Sequence, residues 1–376
     1  MDIWFWQLII SPHMANLAKS LSELGHGVTF VAEREMSADR AGQGWTVPDV
    51  GGSKIVLATD QETAVSLVKA APPEAVHICQ GVRANGVVGP AQQALKDLGR
   101  RQFVNLETVD DTGWQGFIKR AVYERLFQKL SPHLSGVLAN GKNTRDWLID
   151  RGVPAEKVFP FAYFLPETAP KPSITQRERS DRYRVLFVGQ FIERKRLDLL
   201  ITAMSRIDSE NVELAVVGSG PLEGQLRQLA EDTLPERVEW IGSLPMDDVR
   251  VQMAAADCLV LPSRHDGWGA VVSEALMSGT PAICSDACGS AVVAEASGYG
   301  GVFKSGSIDD LVDLLNAKIR EGRLSEQQTL ELAEWARCVG GKKGARYLTD
   351  IIRSTDGVTE LPQPPWMHHS LSDCRH

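Results

Sequence analysis

Two rhythms of apolar and polar positions alternate along this chain, short strand-like runs followed by stretches of helical spacing. In the first half, runs of β-branched, aromatic and aliphatic residues predict strands at 2–6, 28–32, 55–57, 75–79, 102–106, 136–139 and 158–161. Between the first two, Leu17, Leu21 and Leu24 share one face of a helix at 14–24, which Gly25-His26-Gly27 stops. The rhythm breaks at Leu165-Pro166-Glu167-Thr168-Ala169-Pro170-Lys171-Pro172 and the polar run that follows. Its prolines and dense charge predict a stiff linker over 167–181. The rhythm restarts at Tyr183, with strands predicted at 185–188, 214–217, 238–241, 258–261 and 282–284. A helix at 195–207 places Leu197, Leu200, Ile201, Met204 and Ile207 on one face. This alternation predicts an α/β chain of two Rossmann-like doubly wound domains, 1–166 and 182–340. Such domains bind ligands at the carboxyl ends of their strands, so a central cleft between the two is expected. A helix at about 342–354 is expected to pack back on the first domain, and 355–376 to form a loose tail.

Composition narrows the classes. The 376 residues are too many for one small core, and 43% hydrophobic with 23% charged residues reads as globular. A net charge of −8 argues against a general nucleic-acid binder. The apolar run 3–10 is short, lacks a basic leader and runs into Ser11-Pro12-His13, as a buried first strand would. No apolar run approaches the ~18 residues of a membrane span, so a cytoplasmic location is expected. Cys79, Cys258, Cys284, Cys288, Cys338 and Cys374 form no CxxC pair or zinc-ribbon spacing, and read as small apolar filler.

The candidate chemistry lies in loops that follow predicted strands. Asp266-Gly267-Trp268-Gly269-Ala270-Val271-Val272-Ser273-Glu274 sets two carboxylates around a glycine-rich turn that opens a helix. A helix start offers unpaired N–H groups and a positive dipole, which suit a phosphate. Glu274, one turn further in, can accept hydrogen bonds from ribose hydroxyls, and Asp266 lies at the loop edge where a sugar could dock. Upstream, Val188-Gly189-Gln190-Phe191-Ile192-Glu193-Arg194-Lys195-Arg196 runs from a strand to a basic helix start. There Lys195 can face a diphosphate. Gly218-Ser219-Gly220-Pro221 is a tight turn after a strand, and Gly242-Ser243-Leu244-Pro245 ends another. Each has a plain structural reading as well, as an ordinary βα turn or a solvated basic helix start.

Taken in order over 185–303, these elements resemble retaining nucleotide-sugar glycosyltransferases of the GT-B fold, specifically family 4. Asp266 stands where the first Glu of that family's E-x7-E signature is usual, and Gln190 where an Arg follows the glycine; Lys195 matches. The resemblance implies a nucleotide-sugar donor in the second domain and a saccharide or lipid-linked acceptor in the first. It implies retention of anomeric configuration, with no resident cofactor or metal. It assigns Gly189, Gln190 and Lys195 to the diphosphate loop, and Gly242, Ser243 and Leu244 to nucleobase contacts through their backbone. Asp266, Gly267, Trp268, Gly269, Ala270, Val271 and Glu274 would hold sugar, phosphate and ribose. Catalysis would rest on Lys195, Asp266 and Glu107. A sugar-nucleotide epimerase of the same fold, or a non-catalytic nucleotide-sugar-binding subunit, would use the same loops.

In the first half Glu107 closes a predicted strand and could bond the transferred sugar or acceptor, or merely cap a loop. His13, near the first helix start, could touch phosphate or acceptor, or pack. Asp110-Asp111 lacks a matching ligand cluster, so no metal is expected. The stretch 113–130 is aromatic, aliphatic and basic at helical spacing. Trp114, Phe117, Lys119, Arg120, Tyr123 and Arg125 could form a peripheral contact with anionic membrane, or the apolar stripe could pack inward and leave its cations in water.

Overall fold

The structure is a computed structural model that describes residues 1–36, 47–111, 113–167, 182–209, 211–357 and 360–367. Residues 168–181 of the expected linker, Cys374 and half of the expected tail lie outside the described residues. The chain divides into two compact units, Met1–Glu167 with Val339–Pro365, and Thr168–Cys338 with Trp366–His376.

The first unit is a seven-stranded parallel sheet of β1 (Asp2–Ile9), β2 (Gly27–Arg34), β3 (Lys54–Leu57), β4 (Val76–Gln80), β5 (Gln102–Glu107), β6 (Gly136–Asn140) and β7 (Val158–Phe161). Its order is β3-β2-β1-β4-β5-β6-β7, with Phe5 opposite both Phe30 and Ile78. Helices cover both faces, which is why β4 and β6 are buried almost without a break rather than at alternate positions. Trp6, Val31, Val68, Val88 and Leu95 form one core cluster; Val104, Phe127, Val137, Trp147 and Leu148 form another. The helix Gly341–Ser354 returns to this unit and packs on the helix Pro12–Glu23. A Cβ on Gly344 would sit 2.2 Å from the Phe164 ring, so only glycine allows that approach.

The second unit is a six-stranded parallel sheet of β8 (Tyr183–Val188), β9 (Val212–Val217), β10 (Val238–Gly242), β11 (Cys258–Leu261), β12 (Ala282–Ser285) and β13 (Gly301–Phe303), in the order β10-β9-β8-β11-β12-β13. Strand order reverses between β8 and β11, and sheets of this kind bind ligands beyond the carboxyl ends at that point. The helix Leu197–Ser205 buries Leu197, Leu200, Ile201 and Met204.

Three expectations need correction. The helix predicted from 195 begins at Leu197. Glu193–Lys195 is a single 3₁₀ turn, and Arg196 takes a left-handed φ of 54° that separates the two. The five strands expected in the second half are six, because β13 carries too few residues to show a period. The tail is not loose where it is described, since Pro365–Met367 forms a 3₁₀ turn and Trp366 is buried against Trp268. Five cysteines, Cys79, Cys258, Cys284, Cys288 and Cys338, are free and buried. Burial pushes the Cys79 thiol up and the Cys258 thiol up to about 12. Among the described residues no helix is long and apolar enough to cross a membrane.

Candidate functional site

In the second unit three loops at the carboxyl edge are knitted into one platform. The loop after β8 is bound by that after β9, with Phe191 N donating to Ser219 O at 2.9 Å and Leu222 N to Phe191 O at 3.1 Å. Gly218 N reaches Gly242 O at 2.9 Å, and the Ser219 and Ser243 hydroxyls meet at 2.9 Å. Gly242, with φ 83°, turns the chain out of β10, leaving Ser243 exposed and Leu244 half-buried.

The loop after β11 brings the charged residues together. Lys195 Nζ donates to Asp266 Oδ2 at 2.5 Å, and each of these side chains is only 14% exposed. Arg194 Nη1 lies 3.4 Å from the same oxygen and donates to His265 O at 2.9 Å. Arg196 instead pairs with Asp198. Arg194 is therefore the second cation beside Lys195, a role the sequence could not assign among three consecutive basic residues. Gln190 is exposed at the start of the same loop. The β12 loop fixes Asp266 from below, Asp266 N donating to Ala287 O at 3.2 Å and Gly289 N to Asp266 O at 2.9 Å.

Beyond Asp266 the chain turns into the helix Ala270–Met277 through Gly269, whose φ is 88°. A Cβ there would fall 2.6 Å from Leu261 Cδ2 and 3.1 Å from Ser290 Oγ. Ser290 Oγ is buried and has no hydrogen-bond partner among the described residues, so a hydroxyl donor waits beside the helix start. Glu274 lies half-buried on this helix. Burial pushes its carboxyl up from the usual range, with Arg250 offsetting part of the shift. Trp268 turns its ring inward. It is 1% exposed, its indole donates to Ser273 Oγ at 3.1 Å and its carbonyl accepts from Ser290 N at 2.7 Å, so it braces the loop from inside.

In the first unit a cavity of about 580 Å³ opens at the carboxyl ends of β1, β4 and β5. It gathers both residues singled out in this half, His13 and Glu107, with Gln7, Ser11, Arg34 and Tyr163. His13 stacks on Tyr163 at 3.6 Å between ring centroids, with 5° between the planes. Gln7 Nε2 and Ser11 Oγ are buried and have no hydrogen-bond partner among the described residues. A buried polar atom without a partner costs free energy, which a ligand hydroxyl would recover. No local pattern marks Gln7, which sits within the apolar run of β1. Asp111 is committed elsewhere, to an ion pair with Arg151 and a bond from Trp147 Nε1 at 3.0 Å. Among the described residues no group of three or more His, Cys, Asp or Glu side chains is placed to hold a metal ion.

Comparisons with known proteins agree with this layout. Residues 172–331 match the family Glycosyl transferases group 1. Over 209 residues the chain is 30% identical to the GDP-mannose-dependent monoacylated alpha-(1-6)-phosphatidylinositol monomannoside mannosyltransferase of Corynebacterium glutamicum, covering 51% of this chain and 53% of that protein. The chain spans about half the length of the curated relatives it matches. The structure of Anabaena HepE in complex with UDP superposes with a TM-score of 0.70 at 17% identity, over 94% of this chain and 100% of that one. A glycosyltransferase from Rickettsia africae gives 0.71 at 12% identity, over 95% of this chain and 99% of that one. Residues 172–331 thus resemble the glycosyl transferases group 1 family, and the likeness to solved structures shows the fold, the two parallel-sheet Rossmann-like domains of GT-B.

Proposed function

We propose that the protein transfers a sugar from a nucleotide-sugar donor to a saccharide or lipid-linked acceptor with retention of anomeric configuration, in surface polysaccharide or glycolipid synthesis. The observation that carries this reading is the cluster of Lys195, Arg194 and Asp266 beside the Gly269 helix start, with Glu274 one turn further on. The difficult step is departure of the nucleoside diphosphate from the anomeric carbon. Lys195, Arg194 and the N–H groups of Gly269, Ala270 and Val271 would meet the charge that grows on the leaving phosphate. Arg194 would supply the cation that Gln190 lacks. Glu274 would grip the ribose, Asp266 the transferred sugar, and the backbone of Gly242, Ser243 and Leu244 the base.

The acceptor would occupy the cavity of the first unit, where Glu107, Gln7 and Ser11 can bond hydroxyls and His13 on Tyr163 offers an aromatic wall. An acceptor hydroxyl would form its bond to the anomeric carbon as the carbon–phosphate-oxygen bond breaks, on the same face. Its proton would pass to the departing phosphate oxygen, so no protein base is needed. Burial of five free cysteines fits a reducing compartment, the cytoplasm.

The names of relatives support this choice of substrates. One curated relative is named for GDP-mannose and a phosphatidylinositol mannoside, and a structural neighbour holds UDP-glucose. The test is incubation with a panel of nucleotide sugars and short acceptors, followed by NMR of the product anomeric proton. Transfer with retention supports the proposal. Conversion of the nucleotide sugar without acceptor would make the protein an epimerase, and binding without turnover a non-catalytic subunit.

A further inference from the structure

The helix Gly113–Leu130 in the first unit is apolar on two opposite sides. One side belongs to the core, where Tyr123 and Phe127 are buried with Leu126 and Leu130 packed beside them. The other is bare. Trp114 is 77% exposed, Phe117 70%, Ile118 56% and Val122 42%. At 100° per residue these four lie within roughly 80° of one line along the helix, together with Ala121, Arg125, Gln128 and Lys129, and with Glu124 at the edge. The exposed face is thus aromatic and aliphatic in its first half, and in its second it carries Arg125 and Lys129 along its middle, with Gln128 beside them and Glu124 at one edge. Lys119 and Arg120, which the sequence grouped with this face, turn back instead, donating to Asp110 O at 2.6 Å and Asp111 O at 2.7 Å. Tyr123 is core.

We infer that this face is a membrane-docking surface for anionic lipid, with Trp114, Phe117, Ile118 and Val122 entering the headgroup boundary and Arg125 and Lys129 holding lipid phosphates. Charge complementarity selects this occupant. The whole chain carries −8, so attraction to an anionic bilayer depends on a local cationic face adjoining apolar side chains. Tryptophan suits the boundary, because its ring is apolar and its N–H is polar. Placement adds a reason. Glu107, Thr108 and Val109 line the acceptor cavity, and only three positions separate Val109 from Gly113 in the chain. A lipid-linked acceptor could thus keep its lipid in the bilayer while its headgroup enters the cavity.

Lipid contact is read without any nucleotide sugar, so its failure and that of the transfer reaction are separable. The full chain is sedimented with vesicles of equal parts phosphatidylglycerol and phosphatidylcholine, and with pure phosphatidylcholine, at low and high salt. The wild type is expected to bind the mixed vesicles and to be partly released as salt rises. Trp114→Ser with Phe117→Ser should weaken binding to the mixed vesicles by about tenfold or more. Arg125→Gln with Lys129→Gln should cost about twenty-five-fold on mixed vesicles, at roughly fivefold per cation, and nothing on neutral ones. All four side chains are exposed, so circular dichroism and melting should match the wild type. Three results would overturn the inference: no vesicle binding by the wild type, binding indifferent to Trp114 and Phe117, or a wild-type dimer that the apolar pair dissociates while vesicles are ignored.

Discussion

Replacing Glu274 by glutamine should stabilise the empty protein and weaken its hold on nucleotide. Burial raises the Glu274 carboxyl above its ordinary range, and Arg250 offsets only part of that. A group with a raised folded value contributes stability below its unfolded pKa and loses it as pH rises through the folded one. At neutral pH the penalty is therefore in place, because ionisation is harder in the folded protein than in the unfolded chain. Glutamine has the same shape and no charge to desolvate, so the variant should melt above the wild type near pH 7, with the gap closing in acid. The ligand moves the other way. A charge-assisted hydrogen bond to ribose contributes about 1.5–3 kcal/mol, roughly 10- to 150-fold in Kd. The glutamine carbonyl can still accept one such bond, which places the expected loss near the lower figure, about tenfold. Scanning calorimetry of the free proteins from pH 5 to 8 and titration with nucleoside diphosphate measure the two effects. A variant that melts lower at neutral pH and binds nucleotide as well as the wild type would refute the reasoning.

Other substitutions probe the same loops and the fold beneath them. Asp266→Asn frees Lys195 and Arg194 from their shared carboxylate, so free nucleoside diphosphate should bind at least as tightly while the intact nucleotide sugar binds more weakly in titration calorimetry. Lys195→Ala should lower turnover by an amount on the order of 1.5–3 kcal/mol in activation free energy, with far less effect on melting, since the leaving charge grows toward the transition state. Gly269→Ala combines a left-handed backbone, costing ~1–2 kcal/mol, with crowding of buried Leu261, costing ~1–3 kcal/mol. Denaturant unfolding should show a loss of about 2–5 kcal/mol, whereas Gly189→Ala, whose added methyl meets only ordinary contacts at 3.5 Å, should unfold like the wild type. Burial lowers His77 from 6.5 to about 4, and its Nδ1 accepts from Trp6 Nε1 at 3.1 Å. A depressed value means that its stability contribution is present above pH 6.5 and lost as pH falls toward 4, by roughly 3 kcal/mol. His77→Gln should flatten that part of the wild-type stability profile.

Strand rhythm made most of both sheets legible, because parallel strands buried on two faces leave apolar runs bounded by turns. Lys195, Asp266 and Glu274 could be read because each follows a strand at a spacing that resembles a family. What failed depends on backbone angles or distant contacts. Nothing local shows that Arg196 adopts a positive φ and cuts the helix away from Lys195. The burial of Trp268 depends on packing that includes Trp366, nearly a hundred positions later, so nothing in the glycine-rich loop itself shows that the ring turns inward. Gln7 escaped notice because a lone amide in an apolar strand gives no pattern, and its unpartnered nitrogen is visible only in three dimensions. On the helix Gly113–Leu130, periodicity identified an amphipathic segment but not its second apolar face, since which side meets the core is a tertiary matter.

The central claim is that the loops at the carboxyl edge of the second sheet hold a nucleotide sugar. Hydrogen–deuterium exchange of the full chain, with and without a saturating nucleotide sugar from the panel, tests it directly. Protection is predicted over 189–196, 242–244 and 266–275, and Lys195→Ala combined with Glu274→Gln should abolish it at the same ligand concentration. Protection confined to other segments, or persisting undiminished in the double variant, would contradict the account.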